Sequence, residues 1–252
     1  MQLKRQTLPA LALGVSLAMS QFFPAFITTA YADMATGLEA FAVKDYKRAY
    51  REFESAWKAG DAGAAYNLGM MYDGGYGVSN SRMEAAKWYR LAADRDIVEA
   101  MNVLGIAYMR GVGVHKDPHM ALELFFRAAS KGYAPPQFSL GALYYAGTGP
   151  LKTDVQKAIE LFTRSANAGH PPAQLALGQL LLEDQYVEMD RIAAWQWLAL
   201  ALEGGERSAQ RALDKLATKM TSSEMTKANE ALKKIRASRN DSNQNKEINK
   251  SE

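Results

Sequence analysis

Two histidines stand at a spacing that can bind a metal ion. His115 and His119 are four residues apart, and two imidazoles at this spacing on one helix can share a zinc ion. Pro118 lies between them, and because proline favours the first position of a helix, we do not expect the two side chains on one helical face. No cysteine and no third histidine is nearby. The pair is therefore interpreted as surface histidines, and no metal site is predicted.

A glycine-rich stretch is a second candidate for chemistry. Residues 73–80 read DGGYGVSN, and glycine-rich loops of this kind can hold a phosphate group where they follow a strand. Similar glycines recur in RGVGVHK at 110–116 and AGTGPLKT at 146–153. A phosphate loop is needed only once, whereas glycine commonly ends a helix in a left-handed conformation before the chain reverses. The three stretches are predicted to be turns of a repeated unit.

The sequence contains no recognisable catalytic set. The absence of cysteine excludes disulfides, zinc fingers and thiol catalysis, and neither G-x-S-x-G nor His-Glu-x-x-His occurs. Carboxylates are numerous, but the sequence singles out no pair for glycosidase-like chemistry. We therefore predict no enzyme, no catalytic residue and no cofactor.

Residues 1–32 have the pattern of a secretory signal peptide. Lys4 and Arg5 precede the apolar run Leu8–Met19, and Ala30-Tyr31-Ala32 is a small-x-small cleavage pattern. We predict cleavage between Ala32 and Asp33, and a periplasmic or secreted location. The alternative is an uncleaved anchor, in which case this segment would contact the membrane.

Charge argues against a nucleic-acid partner. Without Lys4 and Arg5, 28 basic residues face 27 acidic ones, a difference of one. Residues 206–239 are locally basic, with nine basic and four acidic residues. Two interpretations of this segment stay open: a solvated helix face, or contact with an acidic partner or anionic lipid.

A period of about 36 residues organises most of the chain. The dipeptide Leu-Gly recurs at 68–69, 104–105, 140–141 and 177–178, and a small residue, an aromatic or leucine, and a closing glycine follow in register. Each unit is predicted to form two helices. The second helix of each unit has a predicted N-cap at one of five positions: Asp45, Ser81, Asp117, Asp154 and Asp190. Glycine is unfavourable inside a helix, so the recurring glycine of Leu-Gly suggests that a neighbouring helix lies very close to that position.

This pattern resembles the Sel1-like repeat, a relative of the tetratricopeptide repeat. The resemblance implies an all-α fold, a right-handed α-solenoid of stacked helix-turn-helix repeats that binds proteins, as in exported bacterial members of the family. The predicted organisation is a signal peptide (1–32), a degenerate half repeat with a short leading helix (33–60), four repeats (61–96, 97–132, 133–169, 170–205), C-terminal capping helices (206–236) and a disordered tail (237–252).

The resemblance also implies that the first helix of each repeat lines the concave side of the solenoid. Positions of these helices outside the recurring small and apolar residues are therefore candidates for binding. The predicted partner-binding residues, expected to be exposed there, are Tyr66, Met70, Met101, Asn102, Gln137, Phe138 and Gln174. The alternative, that these positions contribute to packing between repeats, stays open. The predicted function is an exported scaffold that binds a protein or peptide and assembles or regulates a complex or signalling pathway of the cell envelope. The alternatives are a cell-wall-active enzyme or β-lactam-binding protein, and a secreted effector that binds a host protein.

Overall fold

The chain folds into helices that follow one another with short connections. The computed structural model describes residues 25–183 and 188–248, with side chains placed for 33–183 and 188–237, and within these ranges it contains helices but no strand. The helices are α1 (Ala25–Ala42), α2 (Tyr46–Lys58), α3 (Ala62–Gly74), α4 (Arg82–Ala93), α5 (Val98–Arg110), α6 (Pro118–Ser130), α7 (Ala134–Ala146), α8 (Val155–Asn167), α9 (Pro171–Leu180), α10 (Arg191–Glu203), α11 (Ala209–Ala217) and α12 (Ser222–Ile248).

Helices α1 to α11 each pack against their neighbours along the chain, and α12 packs against α10. The odd-numbered helices α1 to α9 (the first helices) pair with the even-numbered helices that follow them (the second helices), and each second helix also contacts the next first helix. This nearest-neighbour packing is typical of a solenoid, in which every repeat buries its apolar face against the adjacent repeats. The predicted all-α solenoid is confirmed.

The second helices begin where the sequence predicts. In every case the side chain of the N-cap residue accepts a hydrogen bond from a backbone amide in the first turn, which satisfies one of the otherwise unpaired donors. Asp117, for example, accepts from the amides of His119 at 3.0 Å and Met120 at 3.1 Å. The five predicted N-caps are confirmed: Asp45, Ser81, Asp117, Asp154 and Asp190.

The recurring Leu-Gly marks the closest contact inside each hairpin. Gly105 of α5 faces the ring of Phe125 on α6, and a Cβ atom at position 105 would lie 2.7 Å from a ring carbon. Only glycine leaves room for the ring at that distance. The same arrangement is found in five pairs: Gly37–Phe53, Gly69–Tyr89, Gly105–Phe125, Gly141–Phe162 and Gly178–Leu198.

The first pair corrects the prediction of a short leading helix. Helix α1 has 18 residues, longer than the 13 of α3, and its Gly37 is packed on Phe53 as in the later repeats. Only Val43, Lys44 and Asp45 connect α1 to α2, so Gly37 falls outside the 36-residue period. The 36-residue period therefore did not reveal that α1 and α2 form a complete hairpin.

The glycine-rich stretches turn the chain between the two helices of a repeat, as predicted. Gly111 ends α5 with φ at +73°, a left-handed conformation that glycine adopts without steric cost. Gly113 follows against the preceding repeat, where a Cβ atom would lie 2.2 Å from the carbonyl oxygen of Arg82. The second glycine is therefore required by close packing between neighbouring repeats.

The C-terminal helix is longer than the sequence suggested. A capping box begins this helix: Glu224 Oε2 accepts from the Thr221 amide at 2.7 Å, and Thr221 Oγ1 accepts from the Glu224 amide at 3.2 Å. Helix α12 then continues to Ile248, whereas residues 237–252 were predicted to be disordered. Neither glycine nor proline occurs after Gly205, so no helix-breaking residue ends α12 earlier.

The predicted signal segment lies mostly outside the described residues. Residues 1–24 are not described, and the predicted cleavage point between Ala32 and Asp33 falls within α1. In the described part of the chain, no helix combines the length and the apolar character needed to cross a bilayer.

Candidate partner-binding groove

One predicted row of binding residues is buried. Met101 is 0% exposed, Gln137 8% and Gln174 1%, so the prediction that these three side chains are exposed is wrong. The reason is that an internal first helix packs on its own second helix and also on the preceding one, which buries two adjacent positions in each turn. The amides serve this packing: Gln137 Nε2 donates to the carbonyl of Ala129 at 3.3 Å, and Gln174 Nε2 to that of Ala166 at 3.1 Å.

The other predicted residues reach the surface. The side chains of Tyr66, Met70, Asn102 and Phe138 are half-buried, and they lie on one face of α3, α5 and α7. We call the surface formed by α3, α5, α7 and α9 the first-helix face. Contact of these four residues with a partner stays a prediction.

A groove of about 500 Å³ opens between α5 and α7 on this face. We call it the central groove. Two of its residues, Asn102 and Phe138, belong to the predicted set, and most of the others are apolar. Its main lining residues are Asn102, Ile106, Met109 and Arg110 of α5, Phe138, Ala142 and Leu143 of α7, and His170.

Aromatic contacts hold one wall of the central groove in place. The ring of Phe138 lies 5.6 Å from that of Phe162 in the core and 5.4 Å from the imidazole of His170. Burial lowers the pKa of His170 below its ordinary 6.5, so the imidazole is neutral at neutral pH. The wall is therefore uncharged and rigid.

Asn102 brings a hydrogen-bond acceptor to the groove. Its Oδ1 atom is buried and has no hydrogen-bond partner among the described residues. A buried acceptor without a donor costs free energy, about 1–3 kcal/mol. Because this atom is inaccessible, the Asn102 side chain must rotate before an N–H group in the groove can donate to it.

Two tyrosines, Tyr66 and Tyr133, lie near Glu99 at the start of α5. Burial, and then the nearby carboxylate of Glu99, raise the pKa of both Tyr66 and Tyr133 above the ordinary 10.0. Both hydroxyls stay protonated at neutral pH and can donate hydrogen bonds. Sequence reasoning missed Tyr133 and His170 as site residues, because they share the N-cap column of the first helices with Asp61 and Ile97, where residue type varies freely.

Charge is unevenly distributed between the two kinds of helix. Neither α7 nor α9 contains Asp, Glu, Lys or Arg, and α3 has only Asp73. The second helices carry charges of both signs, as in RMEAAKWYRLAA of α4. Helix α5 carries Glu99 and Arg110, and among the described residues Arg110 is the one Asp, Glu, Lys or Arg that lines the central groove.

The residues that could do chemistry are not assembled. His115 and His119 are both exposed, and the described residues contain no group of three or more His, Cys, Asp or Glu side chains that could hold a metal ion. Ser55 and Lys58 have the Ser-x-x-Lys spacing, which sequence reasoning overlooked. The Ser55 hydroxyl, however, donates to Asp33 at 2.7 Å, and Lys58 pairs with Glu54 at 3.0 Å.

The comparison with protein families matches the repeated units. Residues 62–97, 98–133, 137–170 and 171–206 each match the family model described as Sel1 repeat. These matches cover more than half of the chain.

Curated relatives share part of the repeat region. The chain is 37% identical over 81 residues to chitin synthase regulatory factor 1 of Schizosaccharomyces pombe, covering 31% of this chain and 18% of that protein. It is 36% identical over 70 residues to a putative sel1-like repeat-containing protein of Acanthamoeba polyphaga mimivirus, covering 28% and 13%. The matches thus span less than a fifth of these relatives.

Solved structures show the same fold. A Sel1 repeat protein from Oxalobacter formigenes superposes with a TM-score of 0.68 at 30% identity, covering 72% of this chain and 74% of that one. A protective antigen of uropathogenic Escherichia coli strains, displaying an SLR fold, superposes with a TM-score of 0.66 at 26% identity, covering 80% and 46%.

Proposed function

Because this chain belongs to the Sel1 repeat family, we propose that it is a binding scaffold whose central groove holds an uncharged, mainly apolar segment of a protein partner. The scaffold brings that partner into a complex or regulates it by binding, without chemistry of its own. Two of the relatives are named as regulatory factors of an enzyme, chitin synthase, which fits a regulatory role of this kind.

The observation that carries this proposal is the lack of charge on α7 and α9 around an apolar groove. Ile106, Phe138 and Leu143 offer apolar contact surface, and burial of apolar surface favours binding by about 25 cal/mol per Å². Among the described residues that line the groove only Arg110 carries a charge, so a charged segment would lose its hydration in return for at most one ion pair. The groove therefore selects for apolar and neutral side chains.

Polar groups in and beside the groove match a peptide backbone. After rotation of its side chain, Asn102 can accept a hydrogen bond from a backbone amide of the bound segment, and the hydroxyls of Tyr66 and Tyr133 can donate to its carbonyls. Such contacts do not depend on the partner's side chains, so they add affinity while the apolar wall determines selectivity. Because the helices are already packed, little ordering entropy is lost on binding.

The N-terminal sequence supports an exported location for this scaffold. Lys4, Arg5, the apolar run after them and Ala30-Tyr31-Ala32 form a signal-peptide pattern. On this proposal the partner is a protein of the periplasm or cell envelope. Sequencing the N-terminus of the protein recovered from the periplasm tests this part, and an N-terminus at Asp33 is the expected result.

Peptide display tests the groove directly. Random peptides of about 12 residues are selected on the purified protein, and the enriched ones should be apolar and poor in Asp, Glu, Lys and Arg. Two substitutions should weaken their binding: Phe138→Ala removes the aromatic wall, and Ala142→Glu places a charge in the groove. Ala142 is exposed, so this second variant should keep the fold.

Matched controls distinguish the groove from the rest of the surface. Phe126 is an exposed phenylalanine of the second helix α6, and Ala237 is an exposed alanine of α12. Phe126→Ala and Ala237→Glu should leave binding unchanged. If charged peptides are enriched, or if the groove variants bind as well as the controls, the proposed function is wrong.

A further inference from the structure

The C-terminal part of the chain carries a row of basic side chains. Arg207, Arg211, Lys215 and Lys219 follow one another at intervals of four residues in and around α11, and all four are exposed. No ion pair joins any of them to an acidic side chain among the described residues. We call these four residues the basic row.

This arrangement is unfavourable in the isolated protein. Arg211 and Lys215 lie four residues apart within α11, and like charges at this spacing on a helix repel each other. Glu206 and Asp214 keep their negative charges while they accept hydrogen bonds from Ser208 and Gln210, so they offset only part of the repulsion: four basic residues face two acidic ones in residues 206–219. A partner that brings carboxylates to the basic row would remove the repulsion.

The basic row borders a second groove. This C-terminal groove has a volume of about 490 Å³ and lies between α9 and α11, with Leu182 on one side and Ala212, Lys215, Leu216 and Lys219 on the other. Helix α11 packs on α10 as the first helix of a further repeat would, so the groove continues the first-helix face.

Two other charges of the C-terminal groove limit where an acidic group can bind. Arg191 lines it, but its charge is matched by Glu224 at 3.7 Å. Glu183 lies on the α9 side and repels carboxylates there. Acidic side chains should therefore bind along the α11 side.

We propose that the basic row binds an acidic stretch of the same partner segment whose apolar part lies in the central groove. This inference rests on the proposed function for the apolar part. The central groove and the C-terminal groove are separated by α7 and α9, and because a helix with its side chains is about 10 Å across, the two grooves lie about 20 Å apart. An extended chain covers that distance in about six residues. The partner segment should thus have its acidic residues about six positions from its apolar anchor.

An acidic peptide fits this site better than an anionic membrane surface. Lys215 and Lys219 lie on the wall of a groove that faces α9, and a flat bilayer cannot enter a groove of this size. A single extended chain can. The groove also continues the surface that binds the apolar part, so both parts of one segment can bind at once.

Two measurements test the basic row. A peptide selected on the central groove is extended by a six-residue neutral spacer and four glutamates, at either end, and the dissociation constant is compared with that of the parent peptide. One orientation should bind about tenfold more tightly at low salt, and the gain should fall as salt rises. Independently, an all-glutamate octapeptide should bind the protein weakly, and this binding should be lost in Lys215→Glu/Lys219→Glu.

Matched variants separate this inference from the proposed function. Lys215→Glu/Lys219→Glu should abolish the gain from the glutamates but leave the parent peptide's affinity unchanged, and Lys233→Glu/Lys234→Glu on α12 should change neither. If the parent peptide binds but its extension gains nothing in either orientation, the inference fails and the proposed function stands. Octaglutamate binding that survives Lys215→Glu/Lys219→Glu also overturns it. So does binding of phosphatidylglycerol vesicles that needs Lys215 and Lys219 when octaglutamate does not bind.

Discussion

Gly105 lies directly beneath the ring of Phe125, with no room for a methyl group between the two helices. A Cβ atom at position 105 would lie 2.7 Å from one ring carbon and 2.9 Å from the next. Glycine, which disfavours helix formation, thus occurs where the two helices are closest, and the aromatic ring fills the space that the missing side chain leaves. The same relationship sets the spacing of the helices in every hairpin up to α10.

Gly105→Ala should therefore destabilise the protein, although alanine is favoured over glycine by about 1 kcal/mol in an ordinary helix. The added methyl group forces the ring of Phe125 or helix α6 to move, and overpacking of this kind costs about 1–3 kcal/mol. Urea unfolding followed by circular dichroism measures the change. A double-mutant cycle with Phe125→Ala provides the control, because Gly105→Ala should be much less costly once the ring is gone. If Gly105→Ala destabilises the parent and the Phe125→Ala variant equally, the contact between Gly105 and the ring is not the cause of the destabilisation.

Gln174 should act on stability through its packing and its hydrogen bond to Ala166. Gln174→Ala leaves a cavity at a position that is 1% exposed and should cost about 1–3 kcal/mol. Gln174→Met should cost less, because Met101 fills the equivalent position of the repeat at 97–132 and is fully buried there. Thermal unfolding of both variants measures this difference. A Gln174→Ala protein as stable as the parent would contradict the packing role.

The sequence was most informative where one local interaction determines a residue type. An N-cap needs a short acceptor side chain, so Asp45 and Asp117 could be assigned from their positions alone. The recurring glycines of Leu-Gly likewise predicted a close helix contact. Gly37 was not recognised as equivalent to these glycines. The short connection after α1 changes the interval from Gly37 to Phe53, and a search for a fixed period finds only units of equal length.

The candidate site was harder to predict, because it depends on which side of a helix faces the previous repeat. Gln137 and Phe138 are neighbours in sequence, but one is buried against α6 and the other lines the groove. Residue type alone does not reveal this difference, because the uncharged amide of Gln137 could fit either a buried or an exposed position. His170 reaches the groove only because the turn before α9 places it next to Phe138, which no sequence interval indicates.

Asp96 should make stability depend on pH and on backbone conformation. It occupies the position where other repeats end in glycine, with φ at +67°. The hydrogen bond and charge of Lys131, and then Arg127, lower the pKa of its carboxyl below the ordinary 3.8. Since the folded-state pKa is the lower one, the stabilisation is present above 3.8 and is lost as the pH falls through the folded value.

Two variants separate these effects. Asp96→Asn keeps a side chain that tolerates the left-handed conformation but removes the charge, so its unfolding midpoint should be slightly lower than the parent's at neutral pH and equal to it in strong acid. Asp96→Gly also relieves the backbone and should be more stable than Asp96→Asn at every pH. Thermal scans across the acid range measure both. A deficit of Asp96→Asn that persists in strong acid would exclude the ion pairs as its cause.

The imidazole of His170 should report on the central groove. Burial lowers its pKa below 6.5, and the ring of Phe138 at 5.4 Å supplies part of that burial. Phe138→Ala should therefore raise the pKa of His170 towards 6.5, as measured by an NMR titration of the imidazole protons. Phe126→Ala, on the exposed side of α6, should leave the value unchanged.

The same lowered pKa predicts how binding and stability change with pH. The stability that depends on neutral His170 is present above 6.5 and is lost as the pH falls through the lowered folded value. A peptide in the central groove buries the imidazole further and lowers its pKa again, so peptide affinity should also fall as the medium is acidified across this range. His170→Gln should remove most of that pH dependence while keeping affinity near neutral pH. If the affinity of the parent protein rises on acidification, His170 does not lie in the contact.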